Sequence, residues 1–464
     1  MKHFILSILA ILTTLTVFGQ DITGQWNGLL NVQGKQLRLV FNINKVDTGF
    51  KSTMDSPDQG AKDIPVTTTS FENSTLKLTI ESAKIEYEGI LGKDNKIVGN
   101  FKQAGHAFPM NLSREKIEKE KLVRPQEPTK PYPYYSEDVT FKNEKAGITL
   151  AGTLTLPKKE GVFPAVILIT GSGAQNRDEE LMGHKPFLVL SDFLTKNGIA
   201  VLRYDDRGTA QSTGNFKNST SLDFATDALA AVNYLQTRKE INKQKIGLIG
   251  HSEGGLIAPI VATNSKNVNF IVLLAGPGLP GNQLLLLQQK LIAEAAGMSQ
   301  ADILKAQEVN KTAFNIIAKS KSPEQLKTDL TTYMIQVSKN DPNKPAGMTD
   351  AEYVKIQTDK ILTPWMVTFL TFNPAPTLER VKCPVLALNG AKDLQVAPKE
   401  NLTAIKEALL KGGNKNITTK ELPNLNHLFQ ECKTGLPQEY ATIEQTFAPT
   451  ALNEILDWIK IQTK

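Results

Sequence analysis

The run Lys245-Ile246-Gly247-Leu248-Ile249-Gly250-His251-Ser252-Glu253-Gly254-Gly255-Leu256-Ile257-Ala258 decides the fold. A short β-branched stretch ends in G-x-S-x-G and passes directly into a helical pattern, so the motif sits at a strand–turn–helix junction. A serine whose hydroxyl projects from so sharp a turn leaves no room for bulky neighbours, which accounts for Gly250 and Gly254. The helix that follows aims its first amides at the serine, where they favour developing negative charge. Ser252 therefore reads as a nucleophile. An ordinary glycine-rich turn would not need this junction.

Outward from the turn, apolar β-branched runs at 165–169, 200–204, 270–274 and 385–388 alternate with helical stretches such as 222–235. Near-continuous apolar strands alternating with amphipathic helices predict an α/β domain with a parallel sheet covered on both faces. The interval 277–376 breaks this rhythm. It has helix starts at Ser299, at Ser322-Pro323-Glu324-Gln325 and at Thr349-Asp350-Ala351-Glu352, the last two read as capping boxes. It is expected to be a helical, lid-like insertion; a helical subdomain that gates nothing stays open as the alternative.

A serine nucleophile needs a base. Of five histidines, His3 lies in the leader, His106 in an all-β segment, His184 before the turn and His251 inside it. In this arrangement the acid and then the base follow the serine in the chain. His427 is the histidine downstream of Ser252, after a strand-like run at 417–422. Of the acids between them, Asp302, Asp329, Asp341, Asp350 and Asp359 fall in the insertion, whereas Asp393 follows the run 385–388 through a turn. Open α/β sheets build their sites at that strand edge, so Asp393 is the expected partner of His427. Asp457, in the last helix, reads as a surface charge. The oxyanion hole is expected from the backbone N–H of Glu253 and a second amide in Thr170-Gly171-Ser172-Gly173, Ser172 before Gly173. A phosphate-gripping loop is excluded there, since neither a Walker lysine nor G-x-G-x-x-G follows.

The 464 residues suggest two or three domains. Residues 1–19, with a basic start and an apolar run, read as a cleavable signal peptide, so a secreted or periplasmic protein is expected, with no integral membrane span in the mature chain. Residues 20–115 alternate with period two and predict a small antiparallel β domain, barrel or sandwich. Residues 116–134 are proline-rich and read as a semi-rigid linker, and 135–464 form the α/β domain. With 40 % hydrophobic residues the composition is that of a globular protein. The net charge of +6 is spread thinly, so no nucleic-acid partner is expected. Two cysteines, Cys383 and Cys432, cannot form a disulfide scaffold and are read as buried small hydrophobes. No metal is expected, since no two histidines sit at ligand spacing.

Residues 135–464 resemble the α/β-hydrolase superfamily, and within it the EstD-type bacterial carboxylesterases. The resemblance is carried by Gly171-Ser172-Gly173 with Asn176-Arg177-Asp178, Tyr204-Asp205-Asp206-Arg207-Gly208, Gly250 to Gly255, Pro364-Trp365, and Asn389-Gly390 through Asp393-Leu394-Gln395-Val396. It implies a triad of Ser252, Asp393 and His427 without a cofactor. Ala210 stands where the D-x-R-G-x-G-x-S pattern has its second glycine, which bears on the shape of that loop. Asp205 and Arg207 are expected to form a structural ion pair.

The expected function is a serine hydrolase acting on small carboxylic esters through an acyl-enzyme. Two alternatives stay open: a serine peptidase or aminopeptidase of the same fold, and a catalytically inert protein that binds lipid or glycan through its β domain. The oligomeric state is not legible.

Overall fold

The computed structural model describes residues 21–32, 35–103, 106–118, 124–339, 341, 344 and 348–464. The expected signal peptide at 1–19 lies outside them, as does part of the expected linker, residues 119–123. The described chain divides between residues 118 and 124 into two compact units.

The first unit is one antiparallel sheet of ten strands curled into a half-barrel. The strands are β1 (Gly24–Val32), β2 (Lys35–Val46), β3 (Gly49–Ser56), β4 (Ala61–Pro65), β5 (Thr68–Glu72), β6 (Thr75–Ile80), β7 (Ile85–Leu91), β8 (Ile97–Gln103), β9 (His106–Pro109) and β10 (Leu112–Ser113). Their order is β4-β3-β2-β1-β10-β8-β7-β6-β5, with β9 on β8. Period-two alternation sends Leu39, Phe41, Ile43, Leu76, Leu78, Ile80, Ile85, Tyr87 and Leu91 inward. Large side chains fill this interior, and their polar tips are satisfied. Trp26 Nε1 donates to the Ile22 carbonyl at 2.8 Å and Tyr87 Oη to that of Met110 at 3.1 Å. The Arg114 guanidinium lies 3.8 Å from the centre of the Trp26 ring.

The second unit is an eight-stranded sheet of order β11-β12-β14-β13-β15-β16-β17-β18. Its strands are β11 (Tyr135–Asn143), β12 (Ile148–Leu156), β13 (Phe163–Ile169), β14 (Ala200–Tyr204), β15 (Ile241–His251), β16 (Phe270–Leu274), β17 (Val385–Gly390) and β18 (Ile417–Leu422). The sheet is mixed, not wholly parallel as expected: β11 pairs antiparallel with β12, and β12 antiparallel with β14. β11 is an edge strand whose side chains are mostly exposed or half-exposed, so it lacks the apolar run that marks the inner strands. Helices cover both faces. α2 (Ser221–Thr237), α3 (Glu253–Asn264) and α10 (Pro398–Lys411) pack on one, α1 (Pro186–Lys196) and α11 (Pro449–Gln462) on the other.

Between β16 and β17, α4 (Gly281–Ala295), α5 (Gln300–Lys319), α6 (Pro323–Ser338), α7 (Asp350–Ile361) and α8 (Pro364–Thr371) are followed by the short α9 (Ala375–Leu378). The five longer helices gather Phe314, Ile317, Leu330 and Leu370 into an apolar cluster of their own. Their starts are capped where the sequence places caps. Ser299, Ser322 and Thr349 each accept from the amide three residues on, at 3.2 Å. Only Thr349 completes the box, with Glu352 accepting from its amide at 2.9 Å; Gln325 turns to the Lys321 amide instead.

The proline-rich stretch, expected as a spacer, belongs to the α/β unit from Arg124 onward. Arg124 donates to the carbonyls of Gly183, Ala441 and Ile443, and the Gln126 side chain bonds the backbone of Thr446 and Phe447. Prolines supply a pre-extended backbone here, and these side chains staple it down. Cys383 and Cys432 are free thiols, partly exposed rather than buried. No helix among the described residues is long and apolar enough to cross a membrane.

Candidate active site

β15 delivers the backbone to Ser252, which adopts φ 50° and ψ −115° before α3 begins at Glu253. A non-glycine residue pays for positive φ in strain, and close packing holds it there. A Cβ on Gly250 would lie 2.0 Å from the Gly254 carbonyl oxygen, and one on Gly254 2.1 Å from that of Ile169. The Ser252 amide donates to the Leu274 carbonyl at 2.8 Å, tying the turn to the end of β16.

Asp393 and His427 come together from the loops after β17 and β18. His427 Nδ1 lies 2.8 Å from Asp393 Oδ2, and both side chains are buried. A carboxylate at Nδ1 requires N–H on that nitrogen, so the neutral ring carries its lone pair on Nε2, the form a general base needs. The other oxygen, Asp393 Oδ1, accepts from the amides of Gln395 and Val396 at 2.8 and 2.9 Å, which fixes the carboxylate plane. Asn426 shapes the histidine loop by accepting from the amides of Leu428 and Gln430, each at 3.0 Å. Among the described residues no hydrogen bond joins Ser252 to His427, a contact that in free enzymes often tightens only with substrate.

The turn 170–173 lies against Ser252: a Cβ on Gly171 would sit 3.3 Å from Ser252 Cβ. The Gly171 amide is taken by Glu179 Oε1 at 2.7 Å. Among the described residues no hydrogen bond engages the amides of Ser172 or Glu253, the two expected oxyanion donors.

Sequence reasoning missed the buried polar groups beneath the site. His251, the variable position of the motif, bonds Glu179 Oε1 through Nδ1 and the His427 carbonyl through Nε2, both at 2.9 Å. The Glu253 side chain, read only for its amide, accepts from Ser221 Oγ at 2.5 Å and from Trp365 Nε1 of α8 at 2.8 Å. Burial raises its carboxyl. Burial also pushes Asp206 up to about 8, against hydrogen bonds from Thr170 and the Gln175 amide. Only the glycine-rich context, Pro364-Trp365 and the Tyr204–Gly208 motif pointed to any of these groups. No local spacing couples positions 72 or 112 residues apart.

One expected pairing is wrong. Asp205 pairs with Arg177 at 2.7 Å, and Arg207 with Asp227 at 2.6 Å. Two residues apart in the chain, Asp205 and Arg207 thus reach partners on different segments, Arg177 after β13 and Asp227 on α2. The remaining candidates are placed apart from the site. His184 bonds Thr446 Oγ1 and the Tyr440 carbonyl, each at 2.9 Å. Asp302, Asp329, Asp350, Asp359 and Asp457 are exposed, and Asp341 accepts from Tyr353 Oη at 2.7 Å.

A family model described as "BAAT / Acyl-CoA thioester hydrolase C terminal" matches residues 229–358, a stretch with Ser252 but without Asp393 or His427. Esterase EstD of Thermotoga maritima is 27 % identical over 297 residues, 64 % of this chain and 62 % of its own length. The chain thus spans less than two thirds of that relative. Human acyl-coenzyme A thioesterase 1 is 28 % identical over 127 residues, 27 % of this chain and 26 % of its own. Among solved structures, the Pyrococcus furiosus esterase PF2001 covers 75 % of this chain and 100 % of its own, at 17 % identity and a TM-score of 0.45.

Proposed function

We propose that this chain, an α/β hydrolase resembling EstD-type carboxylesterases, is a secreted serine hydrolase that cleaves small carboxylic esters through an acyl-enzyme on Ser252. The observation that carries the reading is the buried His427–Asp393 pair at 2.8 Å, with the His427 carbonyl bonded to His251 beside the strained Ser252 turn. Ser252 Oγ attacks the carbonyl carbon as His427 Nε2 takes its proton. Asp393 steadies the resulting imidazolium without taking a proton itself. The amides of Glu253 and Ser172 bind the oxyanion. His427 then protonates the departing alcohol, and water, deprotonated by the same nitrogen, releases the acid and frees the serine. The proton from Ser252 passes through this imidazole to the alcohol, and the proton from water passes through it back to Ser252 Oγ. Export rests on the leader read at 1–19.

The helical insertion is proposed to cover this site. Trp365 of α8 is tied to Glu253, next to the nucleophile, and Leu256, Leu284, Phe369 and Val396 cluster there. An apolar acyl chain suits such a wall.

A second reading is thioester hydrolysis, favoured by the match to an acyl-CoA thioester hydrolase family over residues 229–358. The chemistry at Ser252 would be the same with a thiolate leaving. Parallel assays of a p-nitrophenyl acyl ester, an acyl thioester of equal chain length and an aminoacyl anilide separate the readings. The ester is expected to give the highest kcat/KM. A faster thioester establishes the second reading, and a faster anilide makes the enzyme a peptidase.

A further inference from the structure

His251 is the residue before the proposed nucleophile, and its side chain is buried. Its two ring nitrogens reach two different loops. Nδ1 meets Glu179 Oε1, and Nε2 meets the main-chain oxygen of His427, the proposed base. The same Glu179 oxygen accepts from the Gly171 amide at 2.7 Å, one residue before the proposed oxyanion donor Ser172. Glu179 holds this position at φ 51°. One buried pair thus touches the three segments that carry nucleophile, oxyanion donor and base.

The ring has acceptors on both sides. A carbonyl can only accept, so Nε2 bears hydrogen, and a carboxylate beside Nδ1 is best served by a second N–H. The doubly protonated ring meets both demands and balances the Glu179 charge. Building on the hydrolase reading, we propose that His251 is a positioning residue, an imidazolium strut braced by Glu179 that sets the Ser252 turn, the 170–173 turn and the His427 loop at their working separation.

The surroundings bear on the charge. Burial disfavours the imidazolium, but the Glu179 carboxylate, the His427 carbonyl and the Asp393 charge outweigh it and hold the ring above the usual histidine range. The His427 ring lies 4.9 Å away, centre to centre, and Phe429 presents an apolar edge at 6.5 Å. Two further buried carboxyls are Asp206, after β14, on which the charges of Glu179 and Glu253 act, and Glu253 on α3. A histidine raised in this way keeps its charge below its folded value and loses it as pH climbs through that value. The strut therefore fails on the alkaline side.

The test uses the full chain labelled with ¹⁵N in its histidines, compared with Glu179→Gln. The wild type is expected to show a doubly protonated ring at pH 7.5 that is lost in His251→Asn. Glu179→Gln is expected to return that ring to its neutral form at pH 7.5. It should lower kcat by about tenfold to a hundredfold, in line with a small misplacement of reacting groups, leave KM within about twofold, and move the alkaline limb of kcat to lower pH. A neutral His251 ring in the wild type overturns the strut, whether or not Glu179→Gln folds. An unchanged kcat and pH profile in folded Glu179→Gln overturns the positioning role. A wild type inert towards esters and thioesters fails the hydrolase reading instead, a result distinct from either.

Discussion

Ser252→Ala is expected to lower kcat on a p-nitrophenyl ester by roughly 10⁴–10⁶-fold while leaving KM nearly unchanged. In the proposed mechanism the lost oxygen is the atom that bonds to the acyl carbon, and no other described nucleophile shares the turn. The substitution should not disturb the fold, since Ser252 makes its structural bond through its amide to the Leu274 carbonyl. Residual rate would come from the oxyanion amides and from binding. Steady-state kinetics, with circular dichroism to show an intact fold, check the prediction. A loss of less than about tenfold would move the nucleophile elsewhere.

Asp393→Asn comes second, at about 10⁴-fold in kcat. The change keeps the shape but alters what His427 Nδ1 meets. Asp393 Oδ1 is already held by the amides of Gln395 and Val396. In the variant the carbonyl oxygen of Asn satisfies those amides, and the NH₂ group faces Nδ1. The ring must then present its lone pair to that NH₂, which puts hydrogen on Nε2 and removes the base. Because the tautomer is wrong rather than absent, activity is expected to rise with pH, as hydroxide replaces the missing base. A pH–rate profile from pH 6 to 10 checks this. A variant with wild-type kcat would mean that Asp393 does not orient the base.

The parts of this arrangement set by local pattern could be read before any coordinates. β-branched runs and the G-x-S-x-G junction place β13 to β17 and the turn at Ser252, because strand, tight turn and helix each leave a mark within a few residues. His427 and Asp393 follow from chain order and from the strand edge. The helix starts at Ser299, Ser322 and Thr349 were visible because a cap and its partner lie three residues apart. β11 and β12 both escaped, β11 as a polar edge strand and β12 because threonines interrupt its apolar residues, and the antiparallel pairings that make the sheet mixed escaped with them. The Asp205–Arg177 and Arg207–Asp227 pairs escaped because adjacency in the chain says nothing about which way a loop turns its side chains. The His251–Glu179 and Glu253–Trp365 bonds escaped for a related reason: each joins distant segments, and only the folded backbone brings them within reach.

The most direct measurement is intact-protein and peptide mass spectrometry after exposure to an alkyl fluorophosphonate, run on wild type, Ser252→Ala and His427→Ala. The account predicts one phosphonyl adduct per wild-type chain, localised to the peptide with Ser252, with loss of esterase activity in step. It predicts no adduct in Ser252→Ala and a greatly slowed one in His427→Ala. An adduct on another residue, or full activity in a chain already labelled at Ser252, would contradict it.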